Sequence, residues 1–323
     1  AVAQGVLDGV DRRRKEDAEL VGEARHQATR RIGRELVQFL DDAVHQVRHE
    51  VWRTDVWIGD VGDGDHTSLS TIPSTATGRA RLLVKDTGIL AGVEIAKMIF
   101  AEVDANLVVE TILQDGDSIS KGEIVLTVAG SSQSILKAER LVLNCMQRMS
   151  GIATYTASMV KLLEGTNTKL LDTRKTTPNF RLCEKWACRI GGAVNHRYAL
   201  FDMILIKDNH VDYAGGIHNA INQALEYLRV TGRDLQIEIE VRNLDELRQV
   251  LEIGQVDRIM LDNFSFENLR EAVKMIDGKF MTEASGGINE TTIREYAECG
   301  VDYISCGALT HHVNSLDLSL KAY

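Results

Sequence analysis

Hydrophobic and polar positions in the second half of the chain form two alternating patterns. From about residue 168, short runs rich in Ile, Leu, Val and Met are separated by longer stretches with apolar residues at helical spacing. Short apolar runs predict buried strands, and the longer stretches predict amphipathic helices. The predicted strands are residues 169–172, 203–206, 236–241, 258–262, 279–284 and 301–306. Their alternation with helices predicts a parallel sheet and an α/β fold.

Three of the predicted helices begin at recognisable N-cap residues. Asn243 is followed three residues later by Glu246, Ser265 precedes an apolar stretch, and Asn289 precedes the last long helix. Side-chain oxygens at such positions accept hydrogen bonds from the free N–H groups of the first helical turn. These residues therefore mark where we expect the helices to start.

The first half of the chain has a different pattern. Residues 1 to about 50 are dense in charged side chains, with apolar residues at helical spacing, which predicts an amphipathic helix. From about 60 to 135, short β-type runs are separated by Gly and Asp turns, which predicts a compact sheet. Apolar residues at helical spacing between 138 and 152 then predict a long helix.

The strand and helix alternation fits either a closed barrel or an open doubly wound sheet. The residues at the ends of the predicted strands help to choose between them. They are Asp172, Lys207, Glu240, Asp262, Ser285 to Gly287, and Cys306 with Gly307. In a parallel barrel all of these ends converge on one rim, where barrel enzymes carry out their chemistry. The pattern favours a barrel with a site at its rim.

Composition narrows the class of protein. A chain of 323 residues with 44% hydrophobic content can bury one large barrel or two cores of ordinary size. No apolar run approaches the roughly 20 residues of a membrane span, and the N-terminus lacks the order of a secretion signal. We therefore expect a cytoplasmic protein without membrane contact. The five cysteines form no CxxC pair, so we expect buried thiols rather than disulfides or a zinc site.

The distribution of charge indicates a small anionic ligand. A formal net charge of −10 argues against nucleic-acid binding, which needs a basic surface. Between Asp172 and His210, however, seven Lys or Arg residues stand against four Asp or Glu residues. A positive segment in an acidic chain suits an anion. His196 lies in this segment and is a candidate ligand, whereas His311 and His312 fit a surface position equally well.

The residues of the predicted rim suit a phosphorylated substrate. Backbone N–H groups in the Ser285-Gly286-Gly287 turn and in the turn at Gly307 can hold a phosphate, because glycine leaves them unobstructed. Glu240 and Asp262 suit Mg²⁺, which keeps several waters and is bound partly through substrate phosphates. A phosphoribosyl diphosphate matches the cations, the carboxylates and the phosphate turns together.

Nine short motifs resemble those of one known family. In chain order they are GDGDHTS (62–68), AERLVLN (138–144), LLDTRKTTPNFR, GGAVNHR, DMILIKDNH, IEIEV, RIMLDN, ASGGI and VDYISCGALTH. Together they run from about residue 60 to 320. The chain resembles the quinolinate phosphoribosyltransferases, also called nicotinate-nucleotide pyrophosphorylases (carboxylating).

The resemblance implies a fold, an assembly and a reaction. The fold is an N-terminal open α/β sandwich followed by an incomplete parallel (β/α) barrel of the TIM type. It divides the chain into an atypical helical segment at 1–55, a sandwich with a helix at 56–148 that residues 312–323 could complete, and a barrel at 149–311. The assembly is a homodimer, in which each sandwich covers the partner's barrel, with a hexamer as a further option. The enzyme, a pentosyltransferase, converts quinolinate and 5-phosphoribosyl 1-diphosphate into nicotinate mononucleotide, diphosphate and CO₂ with Mg²⁺.

The family's residue roles fall on matching positions of this sequence. Lys207, Glu240 and Asp262 are implied to be catalytic, and Glu240 and Asp262 are also the candidate metal ligands, with Mg²⁺ held mainly through the substrate. The implied substrate-binding residues are Arg140 (entering from the partner subunit), Thr173, Arg174, Lys175, His196 and Arg197. The implied phosphate-binding residues are Ser285, Gly286, Gly287, Gly307 and Ala308.

Three positions depart from the family pattern. Asn179 follows the proline of the TTP turn where glycine is usual, Ala193 replaces the last of three glycines, and Ala284 stands where serine is common. Asparagine tolerates a positive φ, so the turn at Asn179 can form. None of the three removes a charged residue.

Three other functions stay open at this point. The first is a related pyrophosphorylase-like protein that acts on a different base. The second is a non-catalytic barrel that binds a phosphorylated ligand, although the presence of Glu240 and Asp262 argues against it. The third is a phosphate-binding barrel isomerase, which would need neither the sandwich domain nor an arginine from a partner subunit. The combination of Arg140, Arg174 and Arg197 with Lys207 favours a dicarboxylate substrate.

Overall fold

The computed structural model of this protein describes residues 60–323. The predicted N-terminal helix, and the segment 1–55 with it, lie outside the described residues. Residues 61–323 form one compact unit. In the described part of the chain, no helix has the length and apolar character needed to cross a membrane.

The described chain contains helices and strands in the following order. The elements before residue 132 are α1 (His66–Thr71), β1 (Thr77–Val84), β2 (Gly88–Ile89), α2 (Val93–Val103), β3 (Val108–Thr111), β4 (Ser118–Ile119) and β5 (Ile124–Ser131). The elements after it are α3 (Ser132–Lys161), β6 (Lys169–Leu171), α4 (Arg181–Ile190), β7 (Ile204–Ile206), α5 (Asp208–Ala214), α6 (Ile217–Thr231), β8 (Ile237–Val241), α7 (Leu244–Ile253), β9 (Arg258–Asp262), α8 (Phe266–Ile276), β10 (Met281–Ser285), α9 (Ile293–Glu298), β11 (Tyr303–Ser305), α10 (Ala308–His311) and β12 (Leu318–Ala322).

A small antiparallel sheet combines strands from both ends of this range. Its order is β12-β1-β5-β3, so the last strand of the described residues pairs with the first one described. Leu82 of β1 lies opposite Leu320 of β12 and opposite Leu126 of β5, and all three side chains are buried. Burial of this apolar row holds the register of the sheet. Strands β2 and β4 form a separate two-stranded pair.

Helix α3 connects the antiparallel sheet to the rest of the fold. Its N-cap is Ser131, whose hydroxyl accepts a hydrogen bond from the N–H of Ser134. The predicted apolar stripe is confirmed, with Ala138, Val142, Cys145, Met149 and Ile152 all buried. The helix is continuous over its 30 residues. The domain boundary predicted between residues 148 and 149 therefore falls inside a helix and not at a linker.

The second sheet is parallel throughout. Its order is β6-β11-β10-β9-β8-β7, and all six strands coincide with the six predicted from apolar runs. Beyond β6, Val194 forms one more parallel bridge with Leu171. This confirms the α/β class, with a parallel sheet and a separate small antiparallel sheet. The parallel order places the carboxyl ends of all six strands at one edge, where the predicted rim residues lie.

Two of the three predicted N-caps are confirmed. The side chain of Asn243 accepts hydrogen bonds from the N–H groups of Asp245 and Glu246, and Ser265 accepts one from Asn268. The third prediction was wrong, because α9 starts at Ile293, four residues after Asn289, and has Thr292 as its N-cap. Asn289 instead closes a tight turn, where its Oδ1 accepts a hydrogen bond from the N–H of Thr291.

Candidate active site

A lysine and two carboxylates meet where strands β7, β8 and β9 end. Nζ of Lys207 lies 2.8 Å from Oε2 of Glu240, which is 7% exposed. The pKa of Asp262 is raised first by burial and then by the nearby negative charge of Glu240. The positive charge of Lys207 opposes this rise. The structure thus brings together the three residues predicted to be catalytic. Two neighbouring carboxylates, one of them with a raised pKa, form a donor set that a divalent cation stabilises.

The backbone of this region is held by local hydrogen bonds. The N–H of Lys207 donates to Nδ1 of His210, which fixes the start of α5. Nδ2 of Asn263 lies 2.6 Å from Oδ2 of Asp262, and the N–H of Asn263 donates to the carbonyl of Ser285. The end of β9 is therefore tied to the end of β10, and the carboxylate of Asp262 is tied to the glycine turn that follows.

Two arginines follow β6 and its parallel bridge to Val194. Arg174 follows β6 and is half-buried, and its buried Nε has no hydrogen-bond partner among residues 60–323. Arg197 donates from Nη1 to the carbonyl of Met203. Burial lowers the pKa of Arg197, and the charge of Arg174 lowers it further. Two guanidinium groups whose charges act on each other repel, and an anion bound by both would offset the repulsion.

The glycine turn after β10 combines a crowded glycine with an open one. Both Gly286 and Gly287 have positive φ, at 102° and 63°. A Cβ atom on Gly286 would lie 2.3 Å from Oδ1 of Asn263, whereas a Cβ on Gly287 would meet nothing within 4 Å. Ser285, the last residue of β10, pairs with Asp262 across the sheet. The exposed backbone at Gly287 therefore borders open space next to the carboxylates, and this space can take a phosphate.

The loop that carries Lys175 lies against the turn after β11. The hydroxyl of Thr310 donates to the carbonyl of Lys175 at 2.7 Å. A Cβ atom on Gly307 would lie 2.9 Å from both Cδ of Lys175 and Nε2 of His311. Ala308 begins the short helix α10 directly after this glycine. The predicted phosphate turn at Gly307 is thus adjacent to a predicted substrate-binding lysine, and Thr173 supports the same loop by accepting the N–H of Lys175.

His196 points into the barrel and not towards the rim. Its Nε2 lies 3.0 Å from Glu238 and 3.4 Å from Glu283, and both carboxylates are fully buried. Burial alone would lower the pKa of His196, but these two carboxylates raise it to about 9. The N–H of Arg197 donates to Nδ1 at 2.7 Å, and a cationic ring would have to give up this bond. That backbone bond therefore limits the rise of the pKa.

Arg258 completes this interior cluster. Its Nη1 lies 3.1 Å from Glu283, and its guanidinium stacks on the ring of Tyr303. The cluster offers three ligand atoms, from His196, Glu238 and Glu283, all within 4.8 Å of one another. A guanidinium already neutralises one of the carboxylates, so this interior set suits a metal less well than Glu240 and Asp262 at the rim. Sequence reasoning missed Glu238, Glu283 and Arg258.

A second group that sequence reasoning missed supports the Thr173–Thr177 loop from below. Glu184 of α4 is fully buried and accepts hydrogen bonds from Nε and Nη2 of Arg148 on α3. It also accepts the N–H and the hydroxyl of Thr177, each at 2.9 Å. The available signal was Glu184 within a helix whose neighbouring positions are apolar and buried. A buried carboxylate needs partners of this kind.

Arg140 is separate from the residues described so far. It lies on α3, is exposed, and makes no hydrogen bond or ion pair within residues 60–323. The other predicted site residues gather at the strand ends of their own chain, with the exception of His196. Because Arg140 is exposed, it is accessible to a neighbouring molecule.

The three departures from the family pattern are accommodated without strain. Asn179 adopts a φ of 60°, the left-handed conformation that asparagine tolerates. Ala193 is buried and donates its N–H to the carbonyl of Cys188. Ala284 is fully buried within β10. None of the three displaces a charged residue of the rim.

A parallel barrel sheet with a lysine and two carboxylates, two arginines, and a glycine turn that borders open space at its strand ends defines a class. Barrel enzymes that act on phosphorylated, multiply charged substrates have this arrangement. Comparison with known proteins gives the family. The model of the quinolinate phosphoribosyl transferase C-terminal domain matches residues 152–321, and the model of the N-terminal domain of the same family matches residues 65–150. The chain belongs to the quinolinate phosphoribosyltransferase family.

Individual relatives agree with the family models. Quinolinate phosphoribosyltransferase [decarboxylating] 1b of Nicotiana tabacum is 46% identical over 277 residues, which cover 81% of this chain and 79% of the relative. The chloroplastic nicotinate-nucleotide pyrophosphorylase [carboxylating] of Arabidopsis thaliana is 46% identical over 272 residues, which cover 80% and 78%. The solved structure of the nicotinate-nucleotide pyrophosphorylase from Francisella tularensis superposes with a TM-score of 0.78 at 38% identity, covering 88% of this chain and 96% of that one.

Proposed function

We propose that this protein transfers the phosphoribosyl group of 5-phosphoribosyl 1-diphosphate to quinolinate and releases CO₂, giving nicotinate mononucleotide for NAD biosynthesis. The observation that carries the proposal is that Lys207, Glu240 and Asp262 meet at the ends of β7, β8 and β9, while Arg174 follows β6 of the same parallel sheet and Arg197 follows the bridge of β6 to Val194. The arginine pair fits a dicarboxylate, and the carboxylates beside a phosphate-sized turn fit a phosphoribosyl diphosphate.

The reaction has two bond changes that these residues can assist. The bond from ribose C1 to the diphosphate oxygen breaks, the diphosphate keeps the electron pair, and the quinolinate nitrogen bonds to C1. A positive charge develops on the sugar, and the carboxylates of Glu240 and Asp262 stabilise it, while Lys207 stabilises the departing diphosphate. The glycine turn orients the 5′-phosphate, and this fixes C1 relative to the ring nitrogen.

Decarboxylation follows from the charge on the new pyridinium ring. The bond from the ring to the adjacent carboxylate breaks, CO₂ leaves, and the electron pair stays on the ring carbon. The positive ring nitrogen stabilises that carbanion, which then takes a proton from solvent. Arg174 and Arg197 hold the substrate carboxylates in a defined orientation, because a guanidinium can bind both oxygens of a carboxylate.

Mg²⁺ is the cofactor of this proposal. Glu240 and Asp262 would hold it together with substrate oxygens, and it would supply positive charge to the departing diphosphate. Glu240 raises the pKa of Asp262, which supports this assignment, because a divalent cation removes the repulsion between two adjacent carboxylates.

A homodimer is part of the same proposal, with a hexamer as a larger assembly of such dimers. Its support is Arg140, which is exposed and has no partner within the described residues. In the dimer Arg140 would reach the substrate carboxylates of the partner subunit. The expected cytoplasmic location stays a prediction, because relatives from plants include a chloroplastic enzyme.

The test is product formation. We expect nicotinate mononucleotide when the purified protein is mixed with quinolinate, 5-phosphoribosyl 1-diphosphate and Mg²⁺, and none when nicotinate replaces quinolinate. A folded protein that yields product from nicotinate, or from neither base, would contradict the proposal. Asp115→Asn, which changes a carboxylate at the start of α2 away from the rim, is the matched control and should stay active.

A further inference from the structure

A buried ion pair lies directly beneath the two arginines of the rim. Asp172 is 0% exposed and Lys185 is 1% exposed, and Nζ of Lys185 lies 2.5 Å from Oδ1 of Asp172. Asp172 was predicted to lie at the rim but is buried, and Lys185 is not among the predicted site residues. Since a lysine is rarely buried so completely, its position calls for a specific explanation.

The pair joins two separate segments of the chain. Asp172, at the end of β6, accepts hydrogen bonds from Nδ2 of Asn195 and from the N–H of His196 at 2.8 Å. Lys185, on α4, also donates to the carbonyl of His196 at 3.1 Å. The amide of Asn195 donates in addition to the carbonyl of Lys185. Residues 195–196 are thus held on both sides by the ion pair.

Each joined segment carries one arginine of the rim. Arg174 comes two residues after Asp172, and Arg197 comes one residue after His196. The arginines repel each other, since the charge of Arg174 lowers the pKa of Arg197. Their approach must therefore be imposed by the backbone that carries them. The contacts of Asp172 and Lys185 tie those two backbone segments together, alongside the parallel bridge between Leu171 and Val194.

Stability alone does not account for such a pair. Replacing a buried ion pair by apolar residues of similar size is often neutral or stabilising, because desolvation of the two charges offsets their attraction. What a buried pair with five hydrogen bonds supplies is a defined geometry. We propose that Lys185 and Asp172 are positioning residues, which hold Arg174 and Arg197 at the separation that a dicarboxylate substrate requires.

The kinetic test of this positioning role rests on the proposed function, because it uses the two proposed substrates. Lys185→Met removes the donor to Asp172 and to His196 while keeping the length of the side chain. We expect the KM for quinolinate to rise by about tenfold or more, since displacement of a substrate-orienting group by about 1 Å has large effects. The KM for 5-phosphoribosyl 1-diphosphate should stay within about twofold, because the glycine turn lies on other strands. Lys185→Gln, whose amide can donate to the same acceptors, should recover part of the quinolinate affinity.

Hydrogen exchange gives a second readout that does not depend on any substrate. In Lys185→Met, amides of residues 194–197 should exchange at least about tenfold faster than in the wild type, while those of β8 and β9 should not change. Asp115→Asn, which changes the carboxylate between β3 and β4 that accepts the N–H of Val93, should lower stability and leave both KM values and this segment unchanged. Unchanged exchange at 194–197 in folded Lys185→Met would overturn the inference, as would an unchanged KM for quinolinate. An inactive wild type would instead refute the proposed function and leave the exchange result to decide the inference.

Discussion

Oε2 of Glu240 and Nζ of Lys207 lie 2.8 Å apart across neighbouring strand ends, with Asp262 on the next strand. The ammonium group is therefore the nearest counter-charge for a carboxylate pair. In the proposed reaction it has a second role, which is to stabilise the leaving diphosphate. Lys207 is thus the counter-charge of the carboxylates in the free enzyme, and it stabilises the leaving diphosphate in the transition state.

Replacing Lys207 should affect catalysis far more than folding. We expect Lys207→Met to lower kcat/KM by about a hundredfold or more, because a preorganised cation next to developing negative charge is lost. Steady-state kinetics with both substrates will measure this. Lys97→Met on α2, where the lysine pairs with exposed Glu94, serves as the control and should leave kcat/KM unchanged. A wild-type rate in Lys207→Met would show that this lysine is not catalytic.

Neutralising Asp262 should stabilise the fold while removing activity. Its pKa is raised by burial and by Glu240, so the ionised form costs folding free energy. Because Asp262 is partly exposed, we expect Asp262→Asn to raise Tm by only about 1–2 °C at pH 7. The gain should shrink as the pH falls through the raised pKa and vanish below about pH 3.9, where the carboxyl is protonated in both states. Thermal unfolding as a function of pH tests this, and a lower Tm at pH 7 would refute it.

The two neighbouring glycines of the turn should respond differently to alanine. In Gly286→Ala the new Cβ meets Asn263, so we expect loss of stability. In Gly287→Ala the new Cβ enters open space, so the cost to stability should be smaller, about 1 kcal/mol for the positive φ. If that space takes the 5′-phosphate, Gly287→Ala should raise the KM for 5-phosphoribosyl 1-diphosphate. An unchanged KM in Gly287→Ala would place the phosphate elsewhere.

Glu184 should contribute to stability through its partners. Glu184→Gln cannot satisfy Arg148 and Thr177 together, and breaking a buried pair of this kind costs about 3 kcal/mol. Urea unfolding will measure the change. Glu226→Gln, which removes an exposed partner of Arg229, should change the free energy of unfolding by less than about 0.5 kcal/mol. Equal effects of the two substitutions would contradict the role assigned to Glu184.

Mixed dimers test the contribution of Arg140. Arg140→Ala and Lys207→Ala should each be inactive alone. After subunit exchange in a 1:1 mixture, half of the dimers are mixed and one of their two sites is intact, so about a quarter of wild-type activity should return. The proposal that Arg140 acts across the interface fails if the exchanged mixture stays inactive.

Much of the fold and most of the rim were predictable because they depend on local patterns. Apolar runs located all six parallel strands, and the polar residue after each strand then fell at one edge, as for Lys207 and Asp262. Periodicity also located α3, but it could not show that the helix runs through the expected domain boundary, because continuity depends on packing against both cores.

The interior of the barrel was not predictable from the same patterns. Glu238 and Glu283 occupy strand positions whose neighbours are apolar, and only the pairing of strands shows that they face Arg258 and His196. The direction of His196 was missed for this reason. Lys185 was read as one more charge of the positive segment, since a sequence does not show which lysine of a helix is buried.

The pairing of β12 with β1 has a consequence for synthesis of the chain. Until residues 318–322 leave the ribosome, β1 has an unpaired edge, and at about 5–20 residues per second the intervening segment takes roughly 10–40 s to be made. An unpaired edge can bind other strands and aggregate, and charged side chains such as those of Arg79 and Arg81 on the exposed face of β1 oppose this. Arg79 and Arg81 therefore favour solubility of the nascent chain until residues 318–322 pair with β1.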